Sequence, residues 1–174
     1  MRGLKVTIAA LCIGAIPLGV HETGLTWNAS PSMPVGVWQV GPMKRPITRG
    51  DIVVLCLPPA ASALGLQRGY ILPGDCPTGS EKLLKPAAAV PGDVVQVSDQ
   101  GIAVNGVHLE NSTPLPADDL GRPMTPVPAG TYTVSANDVW AISGHDPRSF
   151  DSRYYGPIPV QNLRGQARAV FVGK

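Results

Sequence analysis

Apolar positions along this chain come in short runs, and turn-forming residues separate them. Gly36–Val40 and Asp51–Leu55 read as strands, the second entered through a Gly50-Asp51 turn. Lys82–Lys85 and Asp93–Val97 read as two more, divided by Pro86 and by a Pro91-Gly92 turn. Val95–Glu110 reads as a hairpin region. VQVS leads through an Asp99-Gln100-Gly101 turn to IAV, and an Asn105-Gly106 turn leads on to VHLE. Asn-Gly between alternating residues is the strongest short hairpin signal. Asn111–Gly130, rich in Pro, Asp and Thr, has no periodicity and reads as a loop. Thr131–Val134, Val139–Ile142 and a last run Ala167–Val172 are further strands. No convincing helical pattern follows the N-terminal region, so the expectation is a mainly β fold with coiled connections and no internal repeat.

One segment departs from this pattern. Val6–Val20 runs without a charge between Arg2 and Lys5 on one side and His21 and Glu22 on the other. A basic start, an apolar stretch and a polar exit mark a secretory signal or a signal anchor. The run reaches about 22 Å as a helix, short of the roughly 30 Å hydrocarbon core, and Pro17 would kink it. A buried core helix is the other reading, but such helices carry a polar face and this run has none. No small-x-small cleavage site follows. The expected organisation is therefore a retained membrane helix over residues 1–22 and a domain over 23–174 on the outer side, since positive flanks stay in the cytoplasm.

Composition narrows the classes. Hydrophobic residues make up 44% and charged residues 15%, which excludes a charge-rich disordered chain. The 20 glycines and 19 prolines favour short strands and many turns over long helices. The net charge is +2 and the basic residues are scattered, so nothing here selects a nucleic acid. Cys56 and Cys76 stand either as a disulfide across a turn-rich loop in an oxidising compartment or as two buried thiols. No Cys-x-x-Cys or His-x-x-x-His spacing supports a metal site.

Three segments carry candidate chemistry. In Asn28–Gly36 two prolines, Pro31 and Pro34, stiffen the chain around Ser32. The segment is either a rigid seat for a hydroxyl nucleophile or a linker leaving the membrane. Lys85 lies among Leu83, Leu84 and three alanines, unlike the other four lysines. Desolvation there lowers its pKa toward a general base, unless the side chain snorkels from a strand edge. Gly144–Gly156 (GHDPRSFDSRYYG) is the densest polar cluster, read either as part of a site or as a solvated loop with an Asp–Arg pair.

Taken together, these motifs resemble the type I signal peptidases, membrane-anchored Ser–Lys proteases. The segment Ser30-Pro31-Ser32-Met33-Pro34-Val35-Gly36-Val37-Trp38 is similar to the conjugative transfer (TraF-like) branch. The resemblance covers most of residues 1–172. It implies a signal-peptidase-like coiled β-sheet catalytic domain, with Ser32 as nucleophile and Lys85 as general base, eight residues before the Asp93 of Pro-Gly-Asp. It implies an oxyanion hole from the Ser30 hydroxyl and the Ser32 N–H, with Ser149 orienting the lysine and Asp151 and Arg153 bracing the site. No cofactor or metal is implied. The implied partner is an exported, pilin-like precursor, cleaved or closed into a ring at the periplasmic side of the inner membrane.

Pro86 replaces the arginine usual in general signal peptidases, and the Gly144–Ser149 stretch is one residue shorter than theirs. His145 leaves open a Ser–His–Asp triad with Asp146 or Asp151. Two further function readings stand beside the first: a general type I signal peptidase, and a non-catalytic periplasmic module for pilus assembly.

Overall fold

The computed structural model describes residues 24–173. The expected membrane helix over residues 1–22 lies outside these. Among the described residues no helix is long and apolar enough to cross a membrane.

The strands are β1 (Leu25–Asn28), β2 (Gly36–Gly41), β3 (Ile52–Leu55), β4 (Leu83–Ala89), β5 (Val94–Ser98), β6 (Gly101–Val104), β7 (Val107–His108), β8 (Gly130–Thr133), β9 (Asp138–Ala141), β10 (Ile158–Pro159) and β11 (Leu163–Val172). Two helices interrupt them, α1 (Pro59–Arg68) and the single turn α2 (Ser152–Tyr155). The strands form a seven-stranded sheet in the order β1-β2-β11-β3-β4-β9-β10 and a four-stranded sheet in the order β7-β6-β5-β8. The fold is mainly β.

Strand β9 shows why the apolar run Val139–Ile142 lacks polar alternation. Val139 and Ala141 enter one hydrophobic core, with Leu55, Leu57 and Ile158. Trp140 and Ile142 enter the other, with Val95, Val97 and Ile102. Successive side chains leave a strand on opposite faces, so a strand between two cores is apolar on both. Strand β4 also reaches both cores, Ala87 the first and Ala89 the second, because a bulge between them shifts the register against β9 and turns Ala89 to the other face.

The Asn105-Gly106 turn forms as the sequence predicts, with φ of 50° and 80°. Both values are positive, as a tight hairpin turn between right-twisted strands requires. The Asp93 carboxylate closes the Pro91-Gly92 turn by accepting the Val90 N–H at 2.9 Å. It also accepts Asn105 Nδ2 at 2.8 Å, which ties the hairpin to β4.

Three expectations change. The stretch between the two cysteines is not merely turns: it contains helix α1. Pro59 occupies the first turn, where its missing N–H costs nothing, and Gly69 ends the helix in the left-handed conformation at φ 71°. The residues that read as breakers are a start and a stop. Gly65 lets Ile71 and Phe150 approach, since a Cβ there would lie 2.8 Å from Ile71 Cδ1. Second, Pro86 does not end β4. The N–H that reaches β3 belongs to Ala87, donating to the Asp51 carbonyl at 2.8 Å, so Pro86 turns its missing donor away from that ladder. Third, β1 and β10 add to the strands expected, and β11 starts four residues earlier than its apolar end suggests. It runs between β2 and β3.

Cys56 and Cys76 form a disulfide, with Cα atoms 5.6 Å apart. Closing that loop contributes about 3 kcal/mol through the unfolded chain. It also ties the end of β3 to the segment that leads into β4.

Candidate active site

Ser32 sits in the tight connection between β1 and β2. Asn28, the last residue of β1, organises that connection. Its Nδ2 donates to the carbonyls of Ser30 at 2.9 Å, Met33 at 3.1 Å and Pro34 at 3.2 Å. The Trp38 indole N–H also donates to the Pro34 carbonyl, at 3.0 Å. With Pro31 and Pro34 fixing two φ angles, few conformations remain to the backbone around Ser32.

Lys85 reaches Ser32 from β4, across the sheet. Its Nζ donates to Ser32 Oγ at 2.5 Å and to Ser149 Oγ at 3.1 Å. Ser32 is 8% exposed and Lys85 3%. Burial lowers the Lys85 pKa from 10.5 to about 8. The Asp151 carboxylate pulls it back up, Arg153 pushes it down, and Asp146 and Glu81 raise it by smaller amounts. A substantial neutral fraction is therefore present near pH 8.

Ser30 Oγ lies 2.9 Å from Ser32 Oγ, and the Ser32 N–H points to Ser30 Oγ with N and O 3.4 Å apart. The Ser32 N–H and the Ser30 hydroxyl thus lie together beside the nucleophile, on the side where Ser30 is exposed.

Asp151 and Arg153 are fully buried and doubly paired. Arg153 Nε donates to Asp151 Oδ1 at 2.8 Å and Nη2 to Oδ2 at 2.9 Å. The other guanidinium hydrogens go to the carbonyls of Asn111, Pro147 and Ser143. The pair makes no direct hydrogen bond to Lys85. It holds Ser143, a residue the sequence reading passed over. The Ser143 N–H donates to Asp151 Oδ2 at 3.1 Å, and its carbonyl accepts Arg153 Nη2 at 2.8 Å. Its hydroxyl donates to the Ser32 carbonyl and accepts the His145 N–H. A chain of hydrogen bonds therefore runs from the ion pair to the nucleophile's own backbone. Only the position of Ser143, directly before the polar cluster, could have pointed to it.

The His145 triad does not form. Asp151 is filled by Arg153 and Ser143, and Asp146 Oδ1 accepts the Arg148 N–H at 2.7 Å. No hydrogen bond joins the His145 ring to Ser32 among the described residues. His145 is exposed.

Ser32 and Lys85 open onto a groove of about 950 Å³. One side is β4, which pairs with β3 over Leu83–Pro86 but meets β9 only from Ala87 onward. The Pro86 carbonyl already accepts the Ile142 N–H at 3.2 Å, and among the described residues the same edge of Leu83–Lys85 carries no strand, which leaves it open to an extended peptide.

A buried amine on a serine hydroxyl, at the floor of an open groove in a mainly β domain, places this chain among the serine peptidases. The chain belongs to the signal peptidase, peptidase S26 family, whose model matches residues 3–172, and is a TraF-like member of it. It is 33% identical to the plasmid transfer protein TraF of Escherichia coli over 168 residues, covering 95% of this chain and 93% of that one. It is 34% identical to the conjugal transfer protein TraF of Agrobacterium tumefaciens (strain 15955), over 97% of this chain and 94% of the other. A signal peptidase I of Leptolyngbya laminosa is 29% identical over 73% of this chain and 54% of its own length.

Proposed function

We propose that this protein is a membrane-anchored serine endopeptidase of conjugation. In this reading Ser32 and Lys85 act as a catalytic dyad and process an exported, pilin-like precursor at the periplasmic face of the inner membrane. The observation that carries the reading is the 2.5 Å contact between a buried amine and a serine hydroxyl. The plasmid transfer and conjugal transfer names of the TraF relatives support the setting.

The chemistry follows from the positions. Neutral Lys85 takes the proton of Ser32 Oγ as that oxygen bonds to the scissile carbonyl carbon. The Ser32 N–H and the Ser30 hydroxyl hold the oxyanion, and loss of one such donor costs about 3–4 kcal/mol. Collapse breaks the C–N bond, and the Lys85 ammonium returns its proton to the departing amine. The acyl ester on Ser32 is then attacked by water, or by an amine of the same precursor, which closes a ring. Lys85 again accepts the proton of the attacking group.

Ser143 is a positioning residue in this scheme. Ser143→Ala leaves the Ser32 carbonyl without its donor inside the protein, a loss of about 1–3 kcal/mol. It is expected to lower kcat by about tenfold to a hundredfold with KM little changed, because it shifts the nucleophile and not the groove. Steady-state kinetics beside a thermal melt separate the two effects. An unchanged kcat would remove Ser143 from the mechanism.

The test of function is to incubate the membrane-embedded wild type and Ser32→Ala with the pilin precursor and weigh the products. Cleavage by the wild type and none by Ser32→Ala is expected. Hydrolysis adds one water across the fragments, whereas ring closure adds none. An uncut precursor with the wild type, or equal cutting by Ser32→Ala, would overturn the reading.

A further inference from the structure

The loop from Asn111 to the start of β8 at Gly130 contains no strand, yet its middle is held by a dense clamp. Tyr70 Oη donates to Asp118 Oδ2 at 2.5 Å, and Arg122 Nε donates to the same oxygen at 2.6 Å. Asp118 Oδ1 accepts the N–H groups of Leu120 at 3.0 Å and Arg122 at 2.9 Å. Arg122 Nη2 donates to the Arg68 carbonyl at 2.9 Å, and Arg68 Nη1 returns a bond to the Pro123 carbonyl at 2.8 Å. The Arg122 guanidinium also lies over the Tyr70 ring, 5.5 Å from its centroid. Farther along, the Leu115 N–H donates to Tyr154 Oη at 3.0 Å. Desolvation pushes the Asp118 pKa up, but the bonds from Tyr70 and Arg122 outweigh it and hold the carboxyl well below its usual range. The loop is therefore fastened to the end of α1 and to α2.

This fastened segment is one wall of the groove that holds Ser32 and Lys85, through Leu115, Ala117, Asp119 and Leu120 among others. Leu120 is 77% exposed, and Leu72, which lines the same groove, is 65% exposed. Folding gains little from leaving such side chains in water; a ligand that covers them does gain. Much of the groove's charge is already paired within the protein: Lys82 with Asp75, Arg122 with Asp118, and Arg148 with Asp119. The exposed Leu120 and Leu72 stand beside these pairs as the apolar contacts the groove offers a ligand.

We propose that Leu115–Met124 is a specificity wall that recognises an extended peptide by its aliphatic side chains, seated against Leu120 and Leu72 in the groove that holds Ser32 and Lys85. This deepens the peptidase reading and rests on it. Binding energy gathered away from the reacting atoms is what makes a long substrate turn over faster than a short one.

The test compares two reactions of the full chain. One is acylation of Ser32 by a small penem, a strained amide of the kind that serine–lysine sites open. The other is cleavage of an alanine-rich peptide with a leucine flank, alongside its serine-flanked counterpart. Leu120→Asp changes an exposed side chain, and Tyr70→Phe with Asp118→Asn releases the clamp. Each is expected to lower kcat/KM for the leucine peptide by about tenfold or more and to leave penem acylation within about twofold. The wild type is expected to prefer the leucine peptide, and Leu120→Asp to lose that preference. Unchanged peptide cleavage in Leu120→Asp, or equal losses in both reactions, would overturn the wall. A wild type that neither takes up penem nor cuts peptide would overturn the dyad instead, and the wall with it.

Discussion

Lys85→Met is expected to abolish peptide cleavage and to raise the melting temperature. The loss of activity is large, about 10⁴-fold or more, because a protonated serine hydroxyl without its base is a poor nucleophile. The stability gain has a separate origin. Lowering the lysine pKa from 10.5 to about 8 means that the folded protein disfavours the ammonium by about 3 kcal/mol. Methionine fills a similar volume and carries no charge. It gives up the bonds to Ser32 and Ser149, each worth about 1 kcal/mol. The net gain is about 1–2 kcal/mol, or about 2–8 °C for a domain of this size.

The pH dependence carries the sign. The folded pKa lies below the unfolded one, so the unfolded chain binds more protons between about pH 8 and 10.5. The wild type therefore gains stability as pH rises through that window, and Lys85→Met does not share this gain. The advantage of Lys85→Met is full below pH 8 and shrinks toward pH 10.5. Thermal melts at pH 6 and pH 10 check this. A variant less stable than the wild type at pH 6 would contradict the desolvation argument.

Arg153→Met is expected to be the most destabilising of the substitutions considered. It strands the Asp151 carboxylate at zero exposure and removes donors from the carbonyls of Asn111, Pro147 and Ser143. Breaking a buried pair from one side costs about 3–5 kcal/mol, here a fall of about 10 °C or more in Tm. Arg153→Lys is not expected to rescue it, since an ammonium cannot make the paired fork to Asp151. Replacing both partners, Asp151→Leu with Arg153→Met, is expected to recover part of the stability. Turnover is expected to stay down by about a hundredfold, because Ser143 loses both side-chain anchors and with them its hold on Ser32. Melts and kinetics on the single and double variants check this. A double variant with normal turnover would show that the pair supports only the fold.

What could be read in the sequence divides along physical lines. The Asn105-Gly106 turn and the doubly apolar β9 follow from local rules of φ and period, and both were legible. Helix α1 was not, because Pro59 and Gly69 are breakers in isolation and mark a helix's start and stop only when the nine residues between them are read as one unit. Pro86 misled for a related reason: whether a missing N–H breaks a strand depends on which neighbour that N–H would have faced. The nucleophile segment and Lys85 stood out through prolines and an apolar setting, and the fold brings Ser30, Ser32, Lys85 and Ser149 into one hydrogen-bonded group. Asn28, Ser143 and the Tyr70–Asp118–Arg122 clamp act through contacts between residues distant in the chain or through main-chain groups. Residue spelling carries no signal for either.

The central claim is that a neutral amine at Lys85 activates the hydroxyl of Ser32. Its most direct test is the rate of Ser32 acylation by the small penem, followed by intact mass from pH 6 to 10. The rate is expected to climb with pH, reach half its maximum near pH 8 and vanish in Lys85→Met. A rate that is flat across this range, or that survives the loss of Lys85, would contradict it.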